Sequence, residues 1–164
     1  MYKKESPKHC LTIDDLEVGQ TTRRPYTITY EMVEAFSKIC GDWNPVHHDP
    51  EYAAETIFKA QIAHGMISVA QFSAIFGMES PGLGTVYLSQ NVEFLKPAYL
   101  DEAYTAYAEV SAICQESKTV TYLTWCENKN GDRIIDGSAT IKAIPQKIKD
   151  NLDLRKILGQ NLSV

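Results

Sequence analysis

Residues 64–80, HGMISVAQFSAIFGMES, constrain the fold more than any other stretch. Read as a helix, they place apolar side chains all round the axis: Met66, Ile67, Val69, Phe72, Ile75, Phe76 and Met78, with Ser68, Gln71 and Ser73 as the interruptions. A helix without a polar face must be enclosed. Lipid does not serve, because a span needs about 20 consecutive apolar residues. The rest of the chain therefore has to wrap it. Four segments are suited to that: 84–99, 102–114, 119–128 and 133–144, all long and rich in β-branched and aromatic residues. In the first, Val86, Leu88, Val92 and Phe94 share a face under a period of two. Between the last two, Asn130-Gly131 predicts a two-residue hairpin. The expectation is an α+β fold, one curved antiparallel sheet wrapped around a central buried helix.

Upstream, the Thr-rich stretch 19–29 reads as a further strand, and Thr29 as the cap of a helix with Met32, Val33, Phe36, Ile39 and Cys40 at helical spacing. Gly41 is the stop. Asp49 and Pro50 open the next helix as N-cap and first residue. The ten residues 41–50, GDWNPVHHDP, thus connect two helices, a place where functional groups collect on a rigid scaffold.

A chain of 164 residues fits one domain with a substantial core. Its net charge of -5 argues against a nucleic-acid surface. Cys10, Cys40, Cys114 and Cys126 are too scattered for a CxxC pair or a zinc spacing and read as reduced thiols. No apolar run follows the basic N-terminus, and none is long enough for a membrane span. A soluble cytoplasmic protein is expected. Residues 145–164 suggest an amphipathic helix (Ile148, Leu152, Ile157, Leu158), so the division expected is a domain over 1–145 and a C-terminal helical extension over 146–164.

The run Gly41-Asp42-Trp43-Asn44-Pro45-Val46-His47-His48-Asp49-Pro50 closely resembles the signature of the MaoC-like (R)-specific enoyl-CoA hydratases, also called hydratase 2. IAHGMIS (62–68) and VEFLKPAYLDE (92–102) resemble two further family segments. Leu100 departs from the glycine often found before Asp101. The resemblance covers roughly residues 10–145 and implies a hot-dog fold, in which a long antiparallel sheet wraps a central helix. It also implies a hydro-lyase of fatty acid metabolism, acting reversibly between a trans-2-enoyl-CoA and the (R)-3-hydroxyacyl-CoA. Coenzyme A enters as the substrate's carrier, with no other cofactor and no metal, and the implied assembly is a homodimer.

By the same resemblance, Asp42 and His47 are the catalytic pair that holds water, Asn44 is the third motif residue, and Gly65 offers an oxyanion N–H supported by Ser68. The residue types suit that chemistry. Asp42 follows a helix C-terminus, whose partial negative charge is expected to raise its proton affinity, and an unperturbed histidine titrates near neutrality. Pro45 stiffens the turn between them. Each residue has a structural alternative: an Asx turn for Asp42, a core histidine at 47, a turn role for Asn44, helix packing for Gly65, a structural hydroxyl for Ser68. His64 and Asp49 read as helix-start residues. His47 and His48 are poor joint metal ligands, because adjacent histidines point apart and no third donor has suitable spacing. Competing functions are a 3-hydroxyacyl-carrier-protein dehydratase, a hot-dog thioesterase and a non-catalytic acyl-thioester-binding subunit.

Overall fold

A computed structural model describes residues 10–144. The proposed extension over 146–164, like the first nine residues, lies outside the described residues. A short 3-10 turn (Ile13–Asp15) leads into β1 (Thr21–Thr27), followed by α1 (Tyr30–Cys40), α2 (Pro45–His48), α3 (Pro50–Glu55) and α4 (Gly65–Ala74). The strands β2 (Val86–Phe94), β3 (Ala103–Cys114), β4 (Thr119–Asn128) and β5 (Arg133–Lys142) complete the order. All pairings are antiparallel and give one five-stranded sheet, β1-β3-β4-β5-β2.

The inner rows of the sheet explain how it closes over α4. On β3 the inward residues are Tyr104, Ala106, Ala108 and Val110, and on β4 they are Val120, Tyr122, Thr124 and Cys126, all buried. Alanines at the centre leave room for Phe72, Ile75 and Phe76, which are 0–1 % exposed. Burying side chains of that size contributes about 1.5–3 kcal/mol each. Period-two alternation on the strands and dense apolar character on the helix therefore meet in one core.

Several expectations need correction. Helix α4 is not enclosed on every side within one chain: Met66 is 50 % exposed, and Ala70 and Ser73 line up beside it on the open face. Beyond Ala74 the helix widens into a π-helical turn, Ile75–Glu79. Val86, Leu88, Val92 and Phe94 do not form the single face expected of them. A bulge between Tyr87 and Ser89 changes the register, so Tyr87 and Val92 pack on the core while Val86, Leu88 and Phe94 stand half exposed. The β4–β5 hairpin forms where expected, but its loop is longer than two residues. The Asn128 side chain accepts from Asn130 N (2.9 Å) and Asp132 N (3.0 Å), which organises the whole of 129–132. Beside Leu100, which stands where a glycine was expected, Asp101 takes the left-handed conformation (φ 58°).

Among the described residues no helix is long and apolar enough to cross a membrane.

Candidate active site

The end of α1 sets the site's geometry. Gly41 adopts φ 81°, a left-handed conformation that favours glycine, and its N–H returns to Ser37 O at 2.8 Å. The chain thereby reverses and presents Asp42. The backbone N–H of Asn44 then donates to Asp42 Oδ1 (3.1 Å), an Asx turn that fixes one carboxylate oxygen and leaves Oδ2 available.

Pro45 does more than stiffen a turn. It is the first residue of α2, a one-turn helix not foreseen inside the connection, and Asn44 Oδ1 caps that helix at Val46 N (3.1 Å). Asp49 caps α3 as expected, accepting from Glu51 N and Tyr52 N. The loop is crowded because four helix ends share it: the end of α1, both ends of α2 and the start of α3.

The turn of α2 carries His47 inward, where its side chain is 11 % exposed. Its Nδ1 lies 2.8 Å from Ile62 O. A carbonyl only accepts, so Nδ1 carries the hydrogen, and the Nε2 of the neutral ring is left as a lone pair. That Nε2 sits 3.8 Å from Asp42 Oδ2. His48 points elsewhere, its ring at 89° to that of His47, and bonds Ser37 Oγ at 2.8 Å.

The third imidazole is the one that the sequence reading passed over. His64 holds the N-cap position of α4 but makes no capping bond. Its ring stacks on His47 with centroids 3.8 Å apart, and its Nε2 lies 3.7 Å from Asp42 Oδ2 and 3.1 Å from Asp42 O. Burial pushes its proton affinity down, against the opposing pull of the Asp42 carbonyl bond.

Asp42, His47 and His64 each offer one ligand atom, all within 4.8 Å of one another. His48 lies outside this group, so the adjacent histidines are not joint donors; His64 joins Asp42 and His47 from the start of α4. Its Nε2–H serves the Asp42 carbonyl, so coordination through that atom would first have to break this bond.

These groups open onto a cavity of roughly 620 Å³. Phe36, Met66, Phe94, Ile134 and Ile135 supply apolar wall, and Asp42, His47, His64, Gly65 and Ser68 supply the polar side. Asn44 is not among the lining residues. Gly65 opens α4, so its N–H has no partner within the helix. The Phe94 ring covers it: a Cβ at residue 65 would lie 2.4 Å from Phe94 Cε1. Ser68 is wholly buried with its hydroxyl near the Tyr26 phenol, and neither its Oγ nor His64 Nδ1 makes a close hydrogen bond among the described residues. A second apolar groove of roughly 420 Å³ runs along the open face of α4 past Met66, Ala70, Ser73, Tyr87 and Leu88.

The MaoC like domain matches residues 15–131. The chain is 34 % identical to an (R)-specific enoyl-CoA hydratase of Aeromonas caviae over 132 residues, 80 % of this chain and 98 % of that one. It is 33 % identical over 143 residues to a mitochondrial 3-hydroxyacyl-[acyl-carrier-protein] dehydratase of Arabidopsis thaliana, covering 85 % of this chain and 81 % of the relative. The unliganded R-hydratase PhaJ1 from Pseudomonas aeruginosa superposes with a TM-score of 0.78 at 37 % identity, covering 82 % of this chain and 86 % of that one. Its likeness establishes the curved sheet about a central helix as a hot-dog fold. This chain belongs to the MaoC-like domain family.

Proposed function

We propose that the protein is an (R)-specific enoyl-CoA hydratase, a hydro-lyase that adds water reversibly to a trans-2-enoyl-CoA to give the (R)-3-hydroxyacyl-CoA. One observation carries this reading beyond the family: two hydrogen acceptors, His47 Nε2 and Asp42 Oδ2, lie 3.8 Å apart at the wall of an apolar cavity. One water molecule can donate to both, which leaves its oxygen lone pairs directed at whatever occupies the cavity.

In the proposed step the water oxygen bonds to C3 while one member of the pair takes a proton. The alkene electrons shift onto the thioester oxygen, where the Gly65 N–H meets the developing charge, with Ser68 Oγ as a neighbouring donor. A proton returned to C2 on the same face completes the addition. Water supplies both added groups, so the chemistry requires no cofactor beyond the coenzyme A that carries the acyl chain. Asn44 serves this arrangement through the Asx turn and the α2 cap.

The protein is proposed to work as a homodimer joined along β2. That strand is a sheet edge, and Val86, Leu88 and Phe94 stand half exposed on it, beside Met66 on the open face of α4. A second copy would pair the edge and cover the apolar face together. Cys40 and Cys114 are exposed, unbridged thiols, which suits a cytoplasmic location.

The test is incubation with crotonyl-CoA, following the absorbance of the conjugated thioester and the chirality of the product. Bleaching without thiol release, giving the (R)-alcohol, is the expected result. Thiol release would point to a thioesterase, and no reaction with either crotonyl-CoA or the crotonyl carrier protein would sink the enzymatic reading. The likeness to the plant dehydratase makes acyl-carrier-protein thioesters the competing substrates. A higher kcat/KM for the carrier-protein form in direct competition would move the assignment to them.

A further inference from the structure

We propose that His64 is a positioning residue for the Asp42–His47 pair, held in register by a relay through Ser37 to His48. The proposal rests on the reading of Asp42 and His47 given above, and it assigns work to two histidines that this reading leaves unused.

His64 is almost completely buried, its side chain 4 % exposed, and it is not spent on capping α4. The Asp42 carbonyl can only accept, so His64 Nε2 carries the hydrogen of their 3.1 Å contact. On its outer side the same nitrogen meets Ser37 Oγ at 3.4 Å. Ser37 is 0 % exposed, in the last turns of α1, and its hydroxyl bonds His48 Nε2 at 2.8 Å. His48 Nδ1 reaches Tyr30 OH at 3.4 Å, and its ring lies 5.0 Å from that of Trp43. The chain of contacts thus runs from the exposed start of α1 to the backbone of Asp42.

Both reacting groups are consequently restrained twice. Asp42 is held at its carbonyl by His64 and at Oδ1 by Asn44 N–H, which leaves Oδ2 for the reaction. His47 is held at Nδ1 by Ile62 O and across its face by the His64 ring, 3.8 Å away and tilted by 30°. Burial lowers the proton affinity of His64, which disfavours a charged ring against His47. Nothing in this arrangement asks His64 to exchange a proton with substrate.

Two replacements separate the tasks. His64→Phe keeps a ring against His47 and removes the donor; His64→Gln keeps a donor and removes the ring. Misplacement of a reacting group by about 1 Å can lower turnover about 100-fold. Each variant is therefore expected to lower kcat on crotonyl-CoA about 10- to 100-fold, with KM within about twofold. Ser37→Ala should lower kcat about three- to tenfold in the wild-type background and by little more in His64→Phe, because both act through one relay. Circular dichroism and Tm verify folding, and His64→Gln carries the cycle if His64→Phe does not fold. Wild-type kcat in either folded His64 variant overturns the proposal, as does a rise in KM with kcat unchanged, or full additivity of the Ser37 and His64 effects. Active Asp42→Asn and His47→Ala proteins would instead overturn the underlying reading, so the two failures are distinguishable.

Discussion

The sheet-and-helix body and the 41–50 loop keep their groups in place by opposite means. In the body, Phe72, Ile75, Tyr122 and Ile141 are fixed by packing, which is non-directional and shared among many neighbours. In the loop, Asp42 Oδ1, Asn44 Oδ1, His47 Nδ1 and Asp49 Oδ1 are each committed to particular backbone partners. Damage to the body should therefore register as lost stability, and damage to the loop as lost rate in a molecule that still folds.

The sharpest test of that contrast is at the proposed reacting pair. Asp42→Asn and His47→Ala should each reduce crotonyl-CoA hydration about 10³-fold or more, near the middle of what a positioned acid–base group contributes. Thermal unfolding should move little, because the Asp42 side chain is half exposed and an Ala at 47 removes no core apolar group. Near-wild-type turnover in either variant, or a large drop in Tm, would break the division between loop and body.

The body's counterpart is Phe72, which is 0 % exposed beneath the sheet. Phe72→Ala should cost about 3–5 kcal/mol in urea unfolding while turnover per folded molecule stays close to wild type. An equal fall in turnover would show that α4 transmits core strain to the Gly65 end, and the two regions would no longer be separable.

Gly65 lies on the boundary and predicts an intermediate effect. A methyl group there would meet the Phe94 ring at 2.4 Å, and Phe94 is half exposed, so the ring can swing aside. Gly65→Ala should lower kcat about tenfold by disturbing the proposed oxyanion end of the cavity, with only a small change in stability. Adding Phe94→Ala removes the clash. If the double variant regains activity, crowding was the cause; if it does not, the bare Cα of Gly65 is itself needed by the substrate.

The same contrast explains what could be read from the sequence. The body was legible because burial repeats: period two on β3 and β4 and unbroken apolar character on α4 follow from simple geometry. Its illegible parts are departures from that period. The bulge at Tyr87/Ser89 shifts Val86 and Leu88 outward by one residue of register, and no residue type there announces it. In the loop, Gly41 and the Asp49-Pro50 start were readable as helix punctuation. The proximity of His64 to Asp42 was not, because it depends on Ile62 N reaching Val46 O and Ala63 N reaching Ala98 O, which fold the start of α4 against α2. Contacts between separate segments leave no spacing signal.

Asn44 supplies the smallest effect and the finest test. By resemblance it belongs to the site, yet its Oδ1 is the N-cap of α2 and it does not line the cavity. If its work is the cap, Asn44→Ala should cost about 1 kcal/mol of stability, the usual value for losing such an oxygen. Activity should fall only as far as α2 loosens and His47 loses its alignment. Asn44→Ser restores a capping oxygen without restoring an amide. Recovery of both Tm and kcat in the serine variant would assign Asn44 to the loop's framework, with Asp42 Oδ1 still held by the residue's backbone N–H, which no side-chain substitution removes. Recovery of Tm alone would show that the amide itself takes part in holding water or substrate, and the framework of the loop would then extend into its chemistry.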